Sequence, residues 1–256
     1  MSLLSEPSLR GLKVGSPPFF AQQARLIRQR PLLNYCYEAW YRLLLDDPSV
    51  KESGPGAVLL ELGSGGSLLK ALEPRVITSD VAPEISERVI DARSLPFADG
   101  SVDAIFMTHV FHHVPDVRKF LAEATRVLRP GGSVALIEVA ATPLARVFFR
   151  HFHPEPFQPE KPEWQFDQGD SMMDSNQALS WMVFRRDRGK FEAEFPHLRI
   201  ETTQYLPWLP YLLSGGVTKR DLIPRFATRP IIAMDKILTG SRGLFSLHWF
   251  IRLRRI

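Results

Sequence analysis

The sequence predicts an α/β protein built on a doubly wound, seven-stranded and mostly parallel sheet. Three observations predict it. Between residues 57 and 140, five apolar runs of strand length, "AVLLEL", "RVITSD", "RVID", "VDAIFMT" and "SVALIEVA", are each closed by Gly, Pro or Asp. Helical stretches separate them, and strands alternating with helices imply a parallel sheet covered on both faces. The first run ends in a glycine-rich turn, "ELGSGGSLL", at the place where such a sheet holds its ligand.

The elements follow in order. Residues 1–18 are rich in Ser, Gly and Pro and are expected to lie loosely on the surface. Leu33, Tyr37, Trp40 and Leu44 share one helical face, so residues 20–45 read as helix, with Pro31 marking a kink or a second start. Val117, Phe120, Leu121, Ala124, Val127 and Leu128 form the stripe of an amphipathic helix before the fifth strand. After Pro143 the regularity fades, and residues 150–190, dense in His, Pro, Trp, Phe and Asp, read as an irregular lid or binding segment. "LRIETTQYL" and "LHWFIRLRRI" supply two more strands, with a helix from Pro230 to Thr239 between them. The expected organisation is one domain. Residues 1–56 form a helical N-terminal cap, 57–142 the ligand-binding core, 143–245 an active-site cover with the sixth strand, and 246–256 the last strand.

Composition narrows the class. A single cysteine, Cys36, leaves no intramolecular disulfide and no thiolate metal cluster, which fits a reducing cytoplasm. Glu6 and Pro7 interrupt the region where a secretory signal runs unbroken, and nowhere do 18 apolar residues run together, so a cytoplasmic location is expected. The net charge of +4 is unevenly spread, with nine Lys and Arg against Asp221 and Asp235 from Val217 to Ile256. Such a tail suits an anionic partner or surface, or else a solvated basic face.

The glycine turn discriminates between nucleotides. A dinucleotide fingerprint needs Gly at position 68, which is Leu, and a phosphate loop needs a Gly-Lys-Ser/Thr that is missing. Glu61 repels a pyrophosphate and attracts an ammonium or sulfonium group. Asp80, closing the second run, can accept both hydroxyls of a ribose, a role shared with NAD enzymes. Asp91, closing the third, can accept from an adenine amino group. The three acids together fit S-adenosylmethionine, one for each of its amino, ribose and adenine parts.

On these segments the sequence resembles a known family. "LLELGSGGS", "ITSDV", "IDARSLPFADGSVDAIFMTHVFHHV" and "EATRVLRPGGSVALIEVA" look like class I S-adenosylmethionine-dependent methyltransferases of the methyltransferase type 11 group, over roughly residues 57–140. The resemblance implies a Rossmann-like sheet with a reversed C-terminal strand. It also implies that Gly63, Ser64 and Gly65 approach the methionine portion, and that Glu61 and Asp80 bind as above. Val81 packs on adenine, Asp91 with Ala92 reads the adenine edge, and the backbone at Thr108 and His109 closes over the sulfonium. Ser67 departs from the family's last glycine, and Pro74 shortens the helix after the loop.

Methyl transfer from an activated sulfonium needs positioning first, and a base when the acceptor is a hydroxyl. Five of the seven histidines, His109, His112, His113, His151 and His153, follow the fourth and fifth strands. His113, His151 and His153 are the candidate bases. "HFHPEPF" sets His151, His153 and Glu155 at a metal-like spacing on an extended segment, but three ligands so close seldom complete a site, and no metal is assigned. Trp164, Phe166 and Trp181 suit substrate stacking or lid packing. The loop after the fourth strand reads "THVF" and not Asn/Asp-Pro-Pro-Tyr, so no nucleic-acid partner is expected.

"HFHPEPF", "RRDRGKFEAEFPHLRI" and "YLLSGGV" are similar to methyltransferases of bacterial polysaccharide biosynthesis. That implies a small-molecule or glycan hydroxyl as acceptor. The basic tail, with Leu222, Ile223, Phe226, Ile231 and Trp249, is then expected to touch an anionic membrane from the cytoplasmic side. Two alternatives stay open: an NAD-type oxidoreductase, and a protein that binds nucleoside or membrane without turnover.

Overall fold

Prolines and short polar caps set where the N-terminal helices begin. The computed structural model describes residues 5–66, 68–167 and 174–256. Ser16 accepts a hydrogen bond from Phe19 N, and Pro17 takes the first helical position of α1 (Pro17–Gln29). Pro31 starts α2 (Pro31–Leu45) anew, so it is a second start and not a kink. Asp47 then caps the one-turn α3 (Pro48–Lys51) by accepting from Ser49 N.

The strands that follow are β1 (Leu59–Leu62), β2 (Val76–Asp80), β3 (Arg88–Val89) and β4 (Val102–Thr108). Asp116 caps α4 (Val117–Val127), which leads straight into β5 (Leu128–Val139). The rest comprises α5 (Pro143–Phe152), α6 (Leu179–Trp181) running into a π-helical turn, α7 (Arg188–Glu194), β6 (Leu198–Tyr205), α8 (Leu209–Ser214), α9 (Thr228–Ile237), α10 (Arg242–Phe245) and β7 (His248–Arg255).

The sheet has the order β3-β2-β1-β4-β5-β7-β6. β1 to β5 pair in parallel, with Leu60 opposite both Ile77 and Ile105. β7 runs antiparallel to both its neighbours, with Leu136 opposite Ile251. The sheet is thus the expected seven-stranded, mostly parallel one with a reversed last strand.

Period-two alternation splits the core into two layers. Leu60, Ile105, Met107, Leu136 and Ile251 pack against Phe120, Leu121 and Ala124 of α4. Leu59, Ala104, Phe106, Ala135 and Phe250 pack against Leu33, Tyr37, Trp40 and Leu44 of α2. Each fully buried Leu or Phe contributes roughly 1.5–3 kcal/mol. Both faces of β4 are buried, which is why "VDAIFMT" reads as a continuous apolar run.

After Pro143 one expectation is narrowed and one choice is settled. The irregular stretch begins only at His153, because Pro143–Phe152 is helical. Thr142 accepts from Ala145 N and donates to Ser246 O, fixing the start of α5 against the approach to β7. His151 is therefore helical and exposed, and not part of an extended strand with His153 and Glu155. Trp164 and Trp181 pack and do not offer open stacking faces. Trp164 is fully buried, donates to Asp187 Oδ2 at 2.7 Å and carries Arg118 over its ring, while Arg146 lies over Trp181.

The basic tail divides in two. Arg252 and Arg254 of β7 turn inward onto Asp47, which is fully buried. Trp249, expected at a membrane, is buried in β7 and donates to Ser180 Oγ. Leu222 and Phe226 are exposed, at 67% and 85%.

Candidate active site

β1 delivers its last residues to the carboxyl edge of the sheet, where the glycine turn must leave abruptly. Gly63 (φ 64°) and Gly65 (φ 49°) take the left-handed conformation that side chains resist. The turn is tied to β2: Ser64 N donates to Ser79 O, Ser64 Oγ accepts from Ser79 N, and Gly65 N points at Asp80 Oδ2 at 3.5 Å. Asp80 also accepts from Ala82 N. Ser67 lies outside the described residues, and among the described ones no helix stands between the turn and β2, where a helix shortened by Pro74 was expected.

Glu61 is buried, and its Oε2 has no hydrogen-bond partner. Burial pushes its carboxyl up to about 8, with the nearby Asp80 adding to the effect. An orphaned carboxylate oxygen beside a bare glycine backbone is a cradle for a cationic amino group. Asp80 stands beside it for a diol, and Val81 is 66% exposed as a free apolar face. These residues fit the amino, ribose and adenine parts of S-adenosylmethionine. Ala92 is buried, while Asp91 is gripped by Arg93, whose Nη2 lies 2.7 Å from Oδ2. In this structure Asp91 therefore serves Arg93, and an adenine amino group must compete for it.

The next group of residues gathers at the ends of β4 and β5. His109 follows β4 with φ 57°, a strained conformation for a non-glycine residue. Its backbone N–H donates to Ile137 O. Its Nε2, together with Thr108 Oγ1, is buried without a partner. The His248 ring, at the start of β7, lies 4.7 Å from the His109 ring, and its Nδ1 is also unpartnered. Trp40 from α2 and Tyr211 from α8 close over this pair, with ring centroids 5.1 and 4.3 Å from His248. Burial pushes His109 down to about 4 and His248 well below the usual imidazole value, so both rings are neutral at neutral pH.

A charged network lies alongside. His112 Nδ1 is 2.6 Å from Glu138 Oε2, and Glu138 Oε1 accepts from Val110 N and Phe111 N. His112 Nε2 faces Glu155 Oε2 at 3.4 Å, and His113 Nε2 lies 3.6 Å from the same oxygen. Burial alone would strip the proton from His112, but Glu138 and Glu155 outweigh it and hold the imidazolium up to about 10. Burial pushes His113 down to about 4, the His112 charge adding to it. His153 is likewise lowered by burial and accepts from Gln177 Nε2 at 2.9 Å.

Of the three expected bases, then, His113 and His153 reach the cluster and His151 does not. His151 sits on the exposed side of α5, a helix whose aromatic-rich stretch hid its period. Sequence reasoning missed the side chains of Trp40, Gln177, Tyr211 and His248. A histidine opening the last apolar run was the available signal for His248.

Residues 60–136 match a family model described as a methyltransferase domain. An uncharacterised methyltransferase of Mycobacterium sp. (strain KMS) is 32% identical over 148 residues, 46% of this chain and 59% of that protein. A ubiquinone/menaquinone biosynthesis C-methyltransferase of Brucella anthropi is 35% identical over 95 residues, 37% of this chain and 36% of that protein. The chain thus spans less than two thirds of the length of these relatives. Among solved structures, geranyl diphosphate C-methyltransferase from Streptomyces coelicolor, in complex with magnesium, geranyl diphosphate and S-adenosylhomocysteine, superposes with a TM-score of 0.56 at 19% identity. That likeness covers 99% of this chain and 89% of the other, and it is one of fold. Residues 60–136 thus match a methyltransferase domain, and the whole chain shares the fold of solved methyltransferases.

Proposed function

We propose that this chain transfers a methyl group from S-adenosylmethionine to a hydroxyl of a small molecule that docks against the packed rings of Trp40, Tyr211, His109 and His248. One observation carries the reading: two neutral imidazoles, each with an unpartnered buried nitrogen, stand beside the glycine turn. Val110, next to His109, packs on Gly63, which links the two places. Buried polar atoms without partners are rare and mark where a ligand's polar group belongs.

The cofactor supplies an activated methyl group, and the chain supplies the rest. Glu61 holds the ammonium, Gly63, Ser64 and Gly65 let the methionine part approach, and Asp80 takes the ribose. Val81 and Ala92 border the adenine, with Asp91 at its edge. Thr108 and His109 close the sulfonium side. The aromatic walls orient an apolar or flat acceptor, and His109 Nε2 or His248 Nδ1 accepts the proton as its oxygen attacks. His113 and His153, both lowered by burial, flank this place beside the charged His112. A glycan end is a second acceptor of the same hydroxyl chemistry.

The test is calorimetry followed by turnover. S-adenosylmethionine binds in preference to NAD, and a methylated product forms from a panel of phenols, sugars and hydroxylated lipids. Binding of NAD instead would favour the oxidoreductase, and cofactor binding without any product would favour a protein without turnover.

A surface role has its own support. Leu222, Phe226 and Ile237 are exposed at 67%, 85% and 82%, within a segment that carries Arg220, Arg225, Arg229 and Lys236. Apolar side chains set among cations suit an anionic lipid surface. No helix among the described residues is long and apolar enough to cross a membrane.

A further inference from the structure

We propose that His112, His113 and Glu155 form a binding site for one divalent transition-metal ion. Their ligand atoms all lie within 4.8 Å of one another. The two distances to Glu155 Oε2, 3.4 and 3.6 Å, are long for hydrogen bonds. They match the edge of a coordination polyhedron, which for bonds of about 2.0–2.1 Å is roughly 3.3–3.4 Å.

The surroundings are those of a built site. The Nδ1 of His112 is engaged by Glu138, which is fully buried, so Nε2 is the nitrogen turned toward Glu155. A carboxylate behind an imidazole fixes its tautomer and strengthens it as a metal ligand. The backbone of Asp174 hydrogen-bonds His113. Gln177 Nε2 at 2.9 Å and Ser175 Oγ at 3.2 Å both donate to Glu155 Oε2, so an ion would share that oxygen with them or bind through Oε1. Among the described residues no Lys or Arg side chain bonds to Glu138 or Glu155. Two carboxylates thus converge on His112, whose imidazolium offsets one of them; a divalent cation that takes the place of the Nε2 proton offsets both. His113 and Glu155 keep 27% and 16% of their side-chain surface exposed, which leaves an approach for the ion and for further oxygen ligands.

Two imidazoles and one carboxylate favour Zn²⁺, Co²⁺, Fe²⁺ or Mn²⁺ over Mg²⁺ and Ca²⁺. Open coordination positions can take an acceptor oxygen and lower the pKa of its hydroxyl. That use rests on the proposed methyl transfer, whereas binding of the ion does not.

The test titrates the chelator-treated full chain with Co²⁺ and follows visible absorption and heat. One Co²⁺ binds per chain, and equimolar Mg²⁺ does not displace it. Glu155→Gln and His113→Asn each weaken binding by on the order of a hundredfold, and Glu138→Gln by about ten- to a hundredfold, while His151→Ala leaves it unchanged. S-adenosylmethionine affinity, measured on the same samples, confirms that each variant is folded. Absence of a stoichiometric Co²⁺ signal in the parent chain overturns the site. So does unchanged affinity in Glu155→Gln and His113→Asn, or loss of binding in His151→Ala. A parent chain that binds Co²⁺ but no S-adenosylmethionine leaves the metal site standing and removes the proposed function.

Discussion

Val110 fills the space that a side chain on Gly63 would need: its Cγ1 would stand 2.8 Å from a Cβ built there, and the other methyl closer still. Gly63 also has a positive φ, so position 63 is closed to alanine twice over. Gly63→Ala is expected to cost about 1–2 kcal/mol in backbone strain alone, with the displaced Val110 adding to it. Chemical denaturation reads the loss, and calorimetry reads weakened cofactor binding because His109 moves with Val110.

Glu61 gives a pH dependence whose sign can be worked out. Its folded carboxyl is raised to about 8, above the roughly 4.3 of an unfolded glutamate. Its contribution to stability is therefore present below about 4.3 and is lost as pH rises through 8. Binding an ammonium group requires the carboxylate, so cofactor binding releases a proton. Affinity is expected to rise by up to about tenfold per unit between pH 6 and 8. Glu61→Gln flattens that slope and gains stability relative to the parent at pH 8. Calorimetry in buffers of different ionisation heat counts the proton, and a slope retained in Glu61→Gln would remove Glu61 from the site.

His109 and His248 divide binding from chemistry. His248→Ala is expected to lower kcat by about 10²–10⁴ if its nitrogen takes the acceptor's proton, with cofactor affinity held within about twofold. If the backbone at His109 closes the sulfonium side as proposed, His109→Ala lowers both. Comparable kcat in parent and both variants would show that proton transfer needs neither ring.

Asp47 is a purely structural prediction. It is fully buried, caps α3 and receives Arg254 Nη1 and Nη2 at 3.0 and 2.8 Å. Asp47→Ala takes the buried carboxylate from Arg252 and Arg254, which keep the Leu43 and Asp46 carbonyls and Glu201, and is expected to cost about 3 kcal/mol, seen as a lower urea midpoint.

At the exposed apolar segment, Phe226→Asp with Ile237→Asp is expected to cut sedimentation with anionic vesicles by about tenfold without changing methyl transfer to a water-soluble acceptor. Equal partitioning of parent and variant would assign these side chains to another partner.

The strands and the glycine turn were legible because their signals are local. Alternation, turn residues and strand-end acids lie within a few residues of one another, and β1 to β5 formed where the apolar runs stood. What escaped depends on chain segments far apart in sequence. Trp40, Tyr211 and His248 meet only because α2, α8 and β7 converge over the end of β4. Asp91 was read as free because its bond to Arg93 is a side-chain choice that spacing does not reveal. α5 was read as loop because Phe and His crowd its length, and its start depends on Thr142 reaching Ser246.

The N-terminal helix lies directly on the glycine turn: Phe20 would stand 3.2 Å from a Cβ on Gly65, and Ala24 2.6 Å from one on Gly66. Glu61 is only 3% exposed. If the turn cradles a cofactor as proposed, Phe20 and Ala24 are part of the roof over it, so bulk at either position bears on entry as well as on packing.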